Sequence, residues 1–178
     1  KVRPAVRYLI QWERHNYSIR DGGWQASLKG PKMRKKSWNI NIRGGEDEYH
    51  ANIHRGAHMY YYNNLPGLTG PPKAQFGYQM KIAAVENEGS SSHAPIRADL
   101  SLGLLSTIRI KKYGFQTERV VGVIIHELAH AVHRVIDEGS YEKLVRHAYV
   151  LPVVVGLPVT EDDNKRLMES FATHIEIT

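Results

Sequence analysis

The chain has 178 residues, of which 42% are hydrophobic and 24% charged, a composition that fits one globular domain and excludes a wholly disordered chain. It has no cysteine and no run of 18 apolar residues, which excludes disulfides, thiolate metal sites, cysteine nucleophiles and a transmembrane helix. The net charge of +6 is concentrated in residues 1–60, where 12 Lys and Arg stand against 5 Asp and Glu.

The basic N-terminal part, residues 1–45, contains a dense run of cations between Lys29 and Lys36. Such a run is either a contact for phosphates or acidic glycans, or a solvated loop or hairpin tip. No nucleic-acid-binding motif surrounds it, so we expect no nucleic-acid partner. The chain begins without a methionine and ends inside a helical pattern, so we expect a processed chain that is truncated at its C-terminus.

Alternating and helical hydrophobic patterns divide the first two thirds of the chain into short elements. Polar, Gly-rich and Pro-rich stretches between them predict loops. In chain order we predict a strand over 38–42, a helix from Asp47 to about Tyr62, a loop over 63–72, a strand over 78–85, a polar loop over 86–95 and a strand over 104–111.

The clearest helix is predicted to begin at Thr117 and to end at Gly139, because its apolar residues recur at helical spacing. Residues 140–159 follow no single pattern. A last helix is predicted from Thr160, with a buried stripe made of Leu167, Phe171 and Ile175.

The motif His126-Glu127-Leu-Ala-His130 lies inside the clearest helix. Residues four apart lie on one helix face, so the two imidazoles can hold one Zn²⁺ between them. The ion lowers the pKa of its water to about 7, and Glu127 can accept the proton as the water attacks a substrate. The motif therefore predicts Zn²⁺ as the cofactor and Glu127 as the general base.

A catalytic zinc needs three protein ligands and one open position, so a third ligand must come from elsewhere. The metzincin solution, a Gly and a third His further along the helix, is absent, since His133 and Ile136 occupy those positions. Glu169, on the predicted last helix and followed by the small Ala172, is our candidate, with Glu176 as the runner-up.

Other histidines allow further readings. His133, one turn beyond His130, could be a fourth ligand or a substrate contact, but an added ligand would close the open position, so we interpret it as a hydrogen-bonded residue near the helix end. His50, His54 and His58 form a row at helical spacing with no carboxylate between them, and we interpret the row as a polar helix face.

The pair of motifs His126-Glu-Leu-Ala-His130 and Glu169-Ser-Phe-Ala172 resembles the gluzincin metallopeptidases, which take two His from one helix and a Glu from a later one. The run IHELAHAVH, with the strand before it and the tyrosine-rich helix near residue 60, is also similar to uncharacterised secreted bacterial proteins of this type. The resemblance covers roughly residues 50–178. One departure is Thr173, where thermolysin-like gluzincins have an Asp that orients the first His, so that orientation must be achieved differently.

The resemblance implies a zinc peptidase that is secreted or bound at the bacterial cell surface. It implies that a protein or peptide substrate lies extended along an edge strand before the motif helix, in contact with Thr107, Ile108, Arg109 and Ile110. Strand addition to such an edge is physically reasonable, since an edge strand offers unpaired backbone groups. The donor for the oxyanion of the intermediate stays open among four residues: Tyr141, His147, Tyr149 and His174.

We therefore expect one α+β domain over residues 1–178, zincin-like, with a small mixed sheet packed on an active-site helix and a second helix that carries the third ligand. The expected activity is that of a zinc-dependent endopeptidase. Two alternatives stay open: a non-catalytic binding module on a peptidase-like fold, and a zinc hydrolase of a non-peptide amide. The sequence does not determine the oligomeric state or the cleavage specificity.

Overall fold

The structure, a computed structural model, describes residues 4–34, 37–63, 79–85, 91–93, 108–112, 117–150 and 163–177. Its elements combine strands and helices, so the predicted α+β class is confirmed. The strands are β1 (Val6–Gln11), β2 (Glu13–Arg14), β3 (Tyr17–Asp21), β4 (Trp24–Gln25), β5 (Ser27–Met33), β6 (Met80–Val85), β7 (Ser92–His93) and β8 (Ile108–Lys111). The helices are α1 (Gly45–Tyr62), α2 (Thr117–Ile136), α3 (Glu138–Val145) with a π-helical turn (Arg146–Val150), and α4 (Asp163–Ile177).

A mixed sheet forms the centre of the fold. Its strand order is β2-β3-β6-β8-β7, and β4 pairs with β3 beside β2. β3, β6 and β8 run parallel, and β7 runs antiparallel to β8. The register places Ile19, Ile82 and Ile108 in one row across the three parallel strands, and all three are fully buried. This row of β-branched side chains is the floor on which the helices pack.

Helices α1 and α2 pack against each other and against this sheet. They approach closely at Gly56, where a Cβ atom would lie 1.9 Å from Cγ2 of Ile124. The Tyr49 hydroxyl of α1 donates a hydrogen bond to the carbonyl oxygen of Ile110 in β8. Because α2 also contacts β7 and β8, the sheet and α1 together fix the position of the helix that carries the His126 motif.

The basic N-terminal part forms a two-stranded ribbon, β1 with β5, in which Lys29 and Lys32 are exposed strand residues. The prediction of a loop or hairpin tip is therefore wrong for these two lysines. The predicted strand over 38–42 is also wrong, since residues 37–43 are irregular. Trp38 packs on Gly30 of the ribbon and stacks on Tyr8. The packing of this side chain accounts for part of the alternation of apolar and polar residues, although the segment makes no strand pairs.

The predicted helix ends agree only in part. α1 begins two residues before Asp47, and α2 begins at Thr117 as predicted. Gly139 does not end α2, because Asp137 accepts a hydrogen bond from the Ser140 backbone N–H and caps a new helix that includes Gly139. The predictions for 64–72, 78, 86–90, 94–95, 104–107 and 151–162 lie outside the described residues.

The buried face of α4 differs from the predicted stripe. Met168 and Ala172 are buried, whereas Leu167 is 60% exposed, so the prediction for Leu167 is wrong. Phe171 is partly buried against the core. This rotation places Glu169, the residue after Met168, on the side of the helix that lines a cleft. Across the described part of the chain, no helix has the length and apolar content to cross a membrane, in agreement with the sequence.

Candidate metal centre

Helix α2 forms one wall of a cleft with a volume of about 710 Å³. Its apolar face is buried, yet it also carries three polar residues, His126, Glu127 and His130, that line this cleft. Glu127 and His130 are almost completely buried, and the His126 side chain is 19% exposed. Burial of a carboxylate and two imidazoles costs free energy unless they are paired or bind a metal. These three polar residues of α2 therefore have a role besides packing.

The opposite wall of the cleft includes α4, which contributes Glu169. Its Oε2 atom lies 3.0 Å from Nε2 of His126 and 3.5 Å from Nε2 of His130. The two Nε2 atoms are themselves 3.2 Å apart. The structure thus brings together the two histidines and the carboxylate that the sequence analysis singled out, although 39 residues separate His130 from Glu169 in the chain.

These three side chains fit a metal ion. Their ligand atoms all lie within 4.8 Å of one another, and they form the one group of this kind in the part of the chain that the structure describes. A neutral imidazole with its proton on Nδ1 presents a lone pair at Nε2, and an ionised carboxylate has only acceptors, so in this tautomer three acceptors converge on one point. A cation satisfies all of them at once. The His126–His130–Glu169 group could therefore hold a metal ion.

Hydrogen bonds hold the carboxylate of Glu169 in its ionised form. The contact with His126, followed by those with His130 and Tyr149, holds the pKa of Glu169 well below its usual range, although burial acts in the other direction. The Tyr149 hydroxyl donates to Oε1 at 2.6 Å, which leaves Oε2 to face the histidines. Tyr149 comes from the π-helical turn, a rare geometry that is frequent at functional sites.

Two tyrosines among the four candidate donors line the cleft, Tyr141 and Tyr149. Burial raises the pKa of both, and the nearby carboxylates Glu127 and Glu169 raise it further, so both keep their proton at neutral pH. The Tyr141 hydroxyl lies 2.9 Å from Nδ1 of His93, which links α3 to β7. His147 and His174 are exposed and do not line the cleft.

The remaining histidines do not join the candidate metal centre. His133 packs between the rings of Tyr141 and Phe171, and its Nδ1 has no hydrogen-bond partner among the described residues, so the predicted hydrogen bond is wrong for this atom. The row of three histidines on α1, interpreted from its spacing as a polar helix face, is at least partly buried. His50 is buried, and His54 packs against the rings of Trp12 and Tyr17.

The second ring nitrogen of His130 also lacks a partner in the described ranges. Metal-bound histidines usually donate that N–H to a carboxylate or carbonyl, which fixes the ring. The His130 ring is held by packing, with Tyr141 and the His126 ring on two sides. For His126, the first histidine of the motif, Thr173 does not take the place of the Asp of thermolysin-like gluzincins, because its side chain is exposed. Glu176 falls among the residues whose side chains lie outside the description.

The predicted edge strand is not at an edge. β8 pairs with β6 on one side and with β7 on the other, where Ile108 and Arg109 lie opposite His93 and Ser92. The Lys111 N–H donates to the Ser91 hydroxyl, which extends the cover along β8. The prediction that a substrate strand pairs with Ile108, Arg109 and Ile110 is therefore wrong in its premise, since neighbours already bind this strand on both sides. Thr107 lies outside the described residues.

Sequence reasoning missed several residues that line the cleft. Ser92 and His93 form β7, which ends the sheet as the structure describes it, yet two residues are too few for a period-2 pattern. Lys165 precedes Glu169 by four residues and lines the same cleft. The helical spacing of these two residues was a visible signal, because i and i+4 lie on one helix face.

Comparison of the chain with protein-family models, curated proteins and solved structures gives no match. The case for function therefore rests on the site. The fold is mixed α+β, and the cleft contains a His126–His130–Glu169 group that could hold a metal ion.

Proposed function

We propose that the protein is a zinc-dependent endopeptidase of the gluzincin type, with a zincin-like fold. One observation carries the proposal: three ligand atoms from the HExxH helix and from a later helix converge within 4.8 Å, while Glu127 lines the same cleft. Two imidazoles and one carboxylate with an open fourth position are a donor set typical of catalytic zinc. In this proposal His126, His130 and Glu169 hold Zn²⁺.

Bound zinc would polarise a water molecule and lower its pKa to about 7. Glu127, adjacent to His126, is the general base: it accepts a proton as the water oxygen attacks the carbonyl carbon of the peptide bond. Glu127 then returns this proton to the amine nitrogen as the C–N bond breaks. Burial of Glu127 suits it to this exchange, because a carboxylate shielded from bulk water keeps the proton within the site.

Tyr149 is the donor that we assign to the developing oxyanion. Its hydroxyl lies at the candidate metal centre, where it donates its one proton to Glu169, and it would turn from this carboxylate to the oxyanion as charge develops there; it stays protonated at neutral pH. Removal of one oxyanion donor typically lowers kcat by about 10²- to 10³-fold. Tyr141 is the weaker candidate because its hydroxyl contacts His93, whereas the hydroxyl of Tyr149 contacts Glu169 of the candidate metal centre.

The substrate backbone would pair with β7 rather than with β8. Ser92 and His93 line the cleft, and within the described ranges β7 has a strand neighbour only on its β8 side. An extended peptide can add to the opposite side of β7 by main-chain hydrogen bonds, which recognise any sequence. This arrangement favours a peptide over a small non-peptide amide.

The first experiment combines metal content with hydrolysis. Wild-type protein that is loaded with zinc and then dialysed against zinc-free buffer should retain about one equivalent of zinc, the stoichiometry of a mononuclear catalytic site. This protein should cleave unfolded casein until a chelator is added. Glu127→Gln should keep the zinc and lose hydrolysis, because the amide cannot accept the proton. Hydrolysis that persists in Glu127→Gln would refute the mechanism.

Glu169→Ala tests the third ligand. Removal of its carboxylate leaves two histidines, so we expect zinc to be lost under mild chelation that the wild-type protein withstands. Glu138→Ala, on the exposed surface of α3, is the matched control and should retain zinc. Equal zinc retention in Glu169→Ala and the wild-type protein would place the third ligand elsewhere. A protein that binds zinc but cleaves no substrate would instead be a binding module.

A further inference from the structure

The two-stranded ribbon of β1 and β5 has one face on the core and the other toward solvent. Ile10 and Leu28 lie opposite each other in the register and pack, partly buried, against the core. Successive residues of a strand point to opposite sides, so alternate residues of the ribbon face away from the core. Four of these are exposed side chains that we call the outer face of the ribbon: Arg7, Leu9, Lys29 and Lys32.

The outer face carries three cations and no anion. Arg7 lies directly opposite Lys32, and Lys29 lies opposite Leu9. Like charges directly opposite each other in a sheet are destabilising, and packing does not offset this effect between two exposed side chains. None of the three cations makes a hydrogen bond or an ion pair within the described part of the chain. All three are therefore available to bind anionic groups.

The charge of the surrounding sequence has one sign. Residues 1–12 and 22–45, which include both strands of the ribbon, hold nine Lys and Arg and no Asp or Glu. The whole chain has a net charge of +6, so the remaining residues are net negative. Such a separation directs the basic part of a protein toward an oppositely charged partner. Because the cations of the outer face are spread over an exposed ribbon, they suit an extended anionic surface better than one small anion.

Exposed apolar side chains among these cations indicate which kind of anionic surface fits. Leu9 is 52% exposed, and Val6, at the start of the same strand, is 46% exposed. A soluble polyanion is bound mainly through its charge, to which these side chains add nothing. At a bilayer, in contrast, apolar side chains enter the boundary between headgroups and acyl chains while cations bind anionic headgroups. We propose that the outer face of the ribbon is a docking surface for a membrane that contains anionic phospholipids.

Sedimentation of the protein with lipid vesicles tests this proposal. Vesicles of phosphatidylcholine alone are compared with vesicles that also contain the anionic lipid phosphatidylglycerol. We expect much tighter binding to the anionic vesicles. This binding should weaken as salt is raised from about 0.1 M to about 1 M, because the Debye length falls from about 10 Å to about 3 Å. Equal binding to both kinds of vesicle, or no binding to either, would overturn the proposal.

Neutral variants test whether the ribbon is responsible. One Lys or Arg near an anionic membrane strengthens binding by about fivefold, so the double variant Lys29→Gln, Lys32→Gln should bind anionic vesicles about 25-fold more weakly. The matched control is Lys143→Gln, Arg146→Gln, which removes the same charge from exposed positions of α3 and the π-helical turn. It should bind nearly as tightly as the wild-type protein. Equal losses in the two double variants would overturn the role of the ribbon.

The variant Leu9→Gln separates a membrane from a soluble polyanion. A bilayer that covers the exposed half of this leucine gains about fivefold in binding from it, so Leu9→Gln should weaken binding to anionic vesicles by about that factor. Binding to heparin should be the same in Leu9→Gln and in the wild-type protein. Undiminished vesicle binding in Leu9→Gln would overturn the membrane assignment. Tighter binding of the wild-type protein to heparin or duplex DNA than to the vesicles would overturn it too, in favour of a soluble polyanion.

This inference does not depend on the proposed hydrolysis, because the outer face does not line the cleft. Each ribbon variant should keep the zinc content, the casein cleavage and the thermal midpoint of the wild-type protein, which shows that it folds. The single variants Lys29→Gln and Lys32→Gln, each about fivefold weaker in vesicle binding, replace the double variant if that one melts early. Wild-type protein that cleaves casein but ignores anionic vesicles would overturn this inference alone. Vesicle binding by a protein that retains no zinc would refute only the proposed function.

Discussion

The hydrogen bond from Tyr149 to Glu169 offers a sharp test of how the candidate metal centre is held together. Tyr149→Phe removes only the hydroxyl that donates to Oε1 and leaves the ring, which Lys165 contacts. The carboxylate of Glu169 then loses the partner that orients it toward His126 and His130. Because outer partners of this kind orient metal ligands, we expect zinc to bind more weakly while the fold is retained.

The size of the effect follows from the bond and its exposure. A hydrogen bond to a charged group contributes about 1.5–3 kcal/mol, and loss of an outer partner typically weakens metal binding by about 10- to 100-fold. The Glu169 side chain is 37% exposed, so water can replace part of the lost interaction. We therefore expect the lower end of this range, a loss of about tenfold, which corresponds to about 1.4 kcal/mol.

The assay is a competition titration of zinc against a chromogenic chelator at neutral pH, followed by hydrolysis at saturating zinc. Tyr60→Phe is the matched control, since the Tyr60 hydroxyl is buried in α1 with no hydrogen-bond partner among the described residues and does not line the cleft. It should leave zinc affinity unchanged. Equal zinc affinity in Tyr149→Phe and the wild-type protein would refute the reasoning. A tenfold weaker zinc site with full kcat at saturating zinc would refute only the assignment of Tyr149 to the oxyanion.

Two further predictions concern stability. Gly56→Ala should lower the free energy of unfolding in urea by about 1–3 kcal/mol, because the new Cβ meets the fully buried Ile124 at 1.9 Å. Gly139→Ala, in the exposed helix α3, should raise this free energy by about 0.5–1 kcal/mol, because the nearest atom is 3.9 Å away and Ala favours a helix more than Gly. Equal effects of the two substitutions would contradict the close contact of α1 with α2. Burial lowers the pKa of His93 to about 3, below the unfolded value of about 6.5, so its contribution to stability is present above pH 6.5 and is lost as the pH falls toward 3. Urea titrations of metal-free protein between pH 7 and 4 should show a shallower loss of stability in His93→Gln than in the wild-type protein, and parallel curves would contradict this.

Local periodicity was enough to predict several features from the amino-acid sequence. The apolar spacing from Val120 to Val135 predicted α2 and its start at Thr117, and the interval of four between His126 and His130 placed both imidazoles on one face. The candidate cap Asp47 and the apolar spacing of the residues that follow it, up to about Tyr62, predicted α1 to within two residues. These signals are reliable because helical geometry alone relates residues three and four apart. They also led to Glu169, since catalytic zinc requires a third donor and the last predicted helix offered a suitable carboxylate.

Two features depend on the tertiary structure: which backbone groups are paired between strands, and which face of each helix is buried. β8 reads as an edge strand because Arg109 and Lys111 alternate with apolar residues, yet the two-residue strand β7 covers it, and no periodicity can reveal so short a partner. Part of the alternation at 38–42 reflects a tryptophan packed on Gly30, and the segment forms no strand pairs. The rotation of α4, which buries Met168 and exposes Leu167, sets Glu169 against the two histidines and Lys165 along the cleft. Contacts between residues far apart in the chain determine that rotation, and local sequence does not encode them.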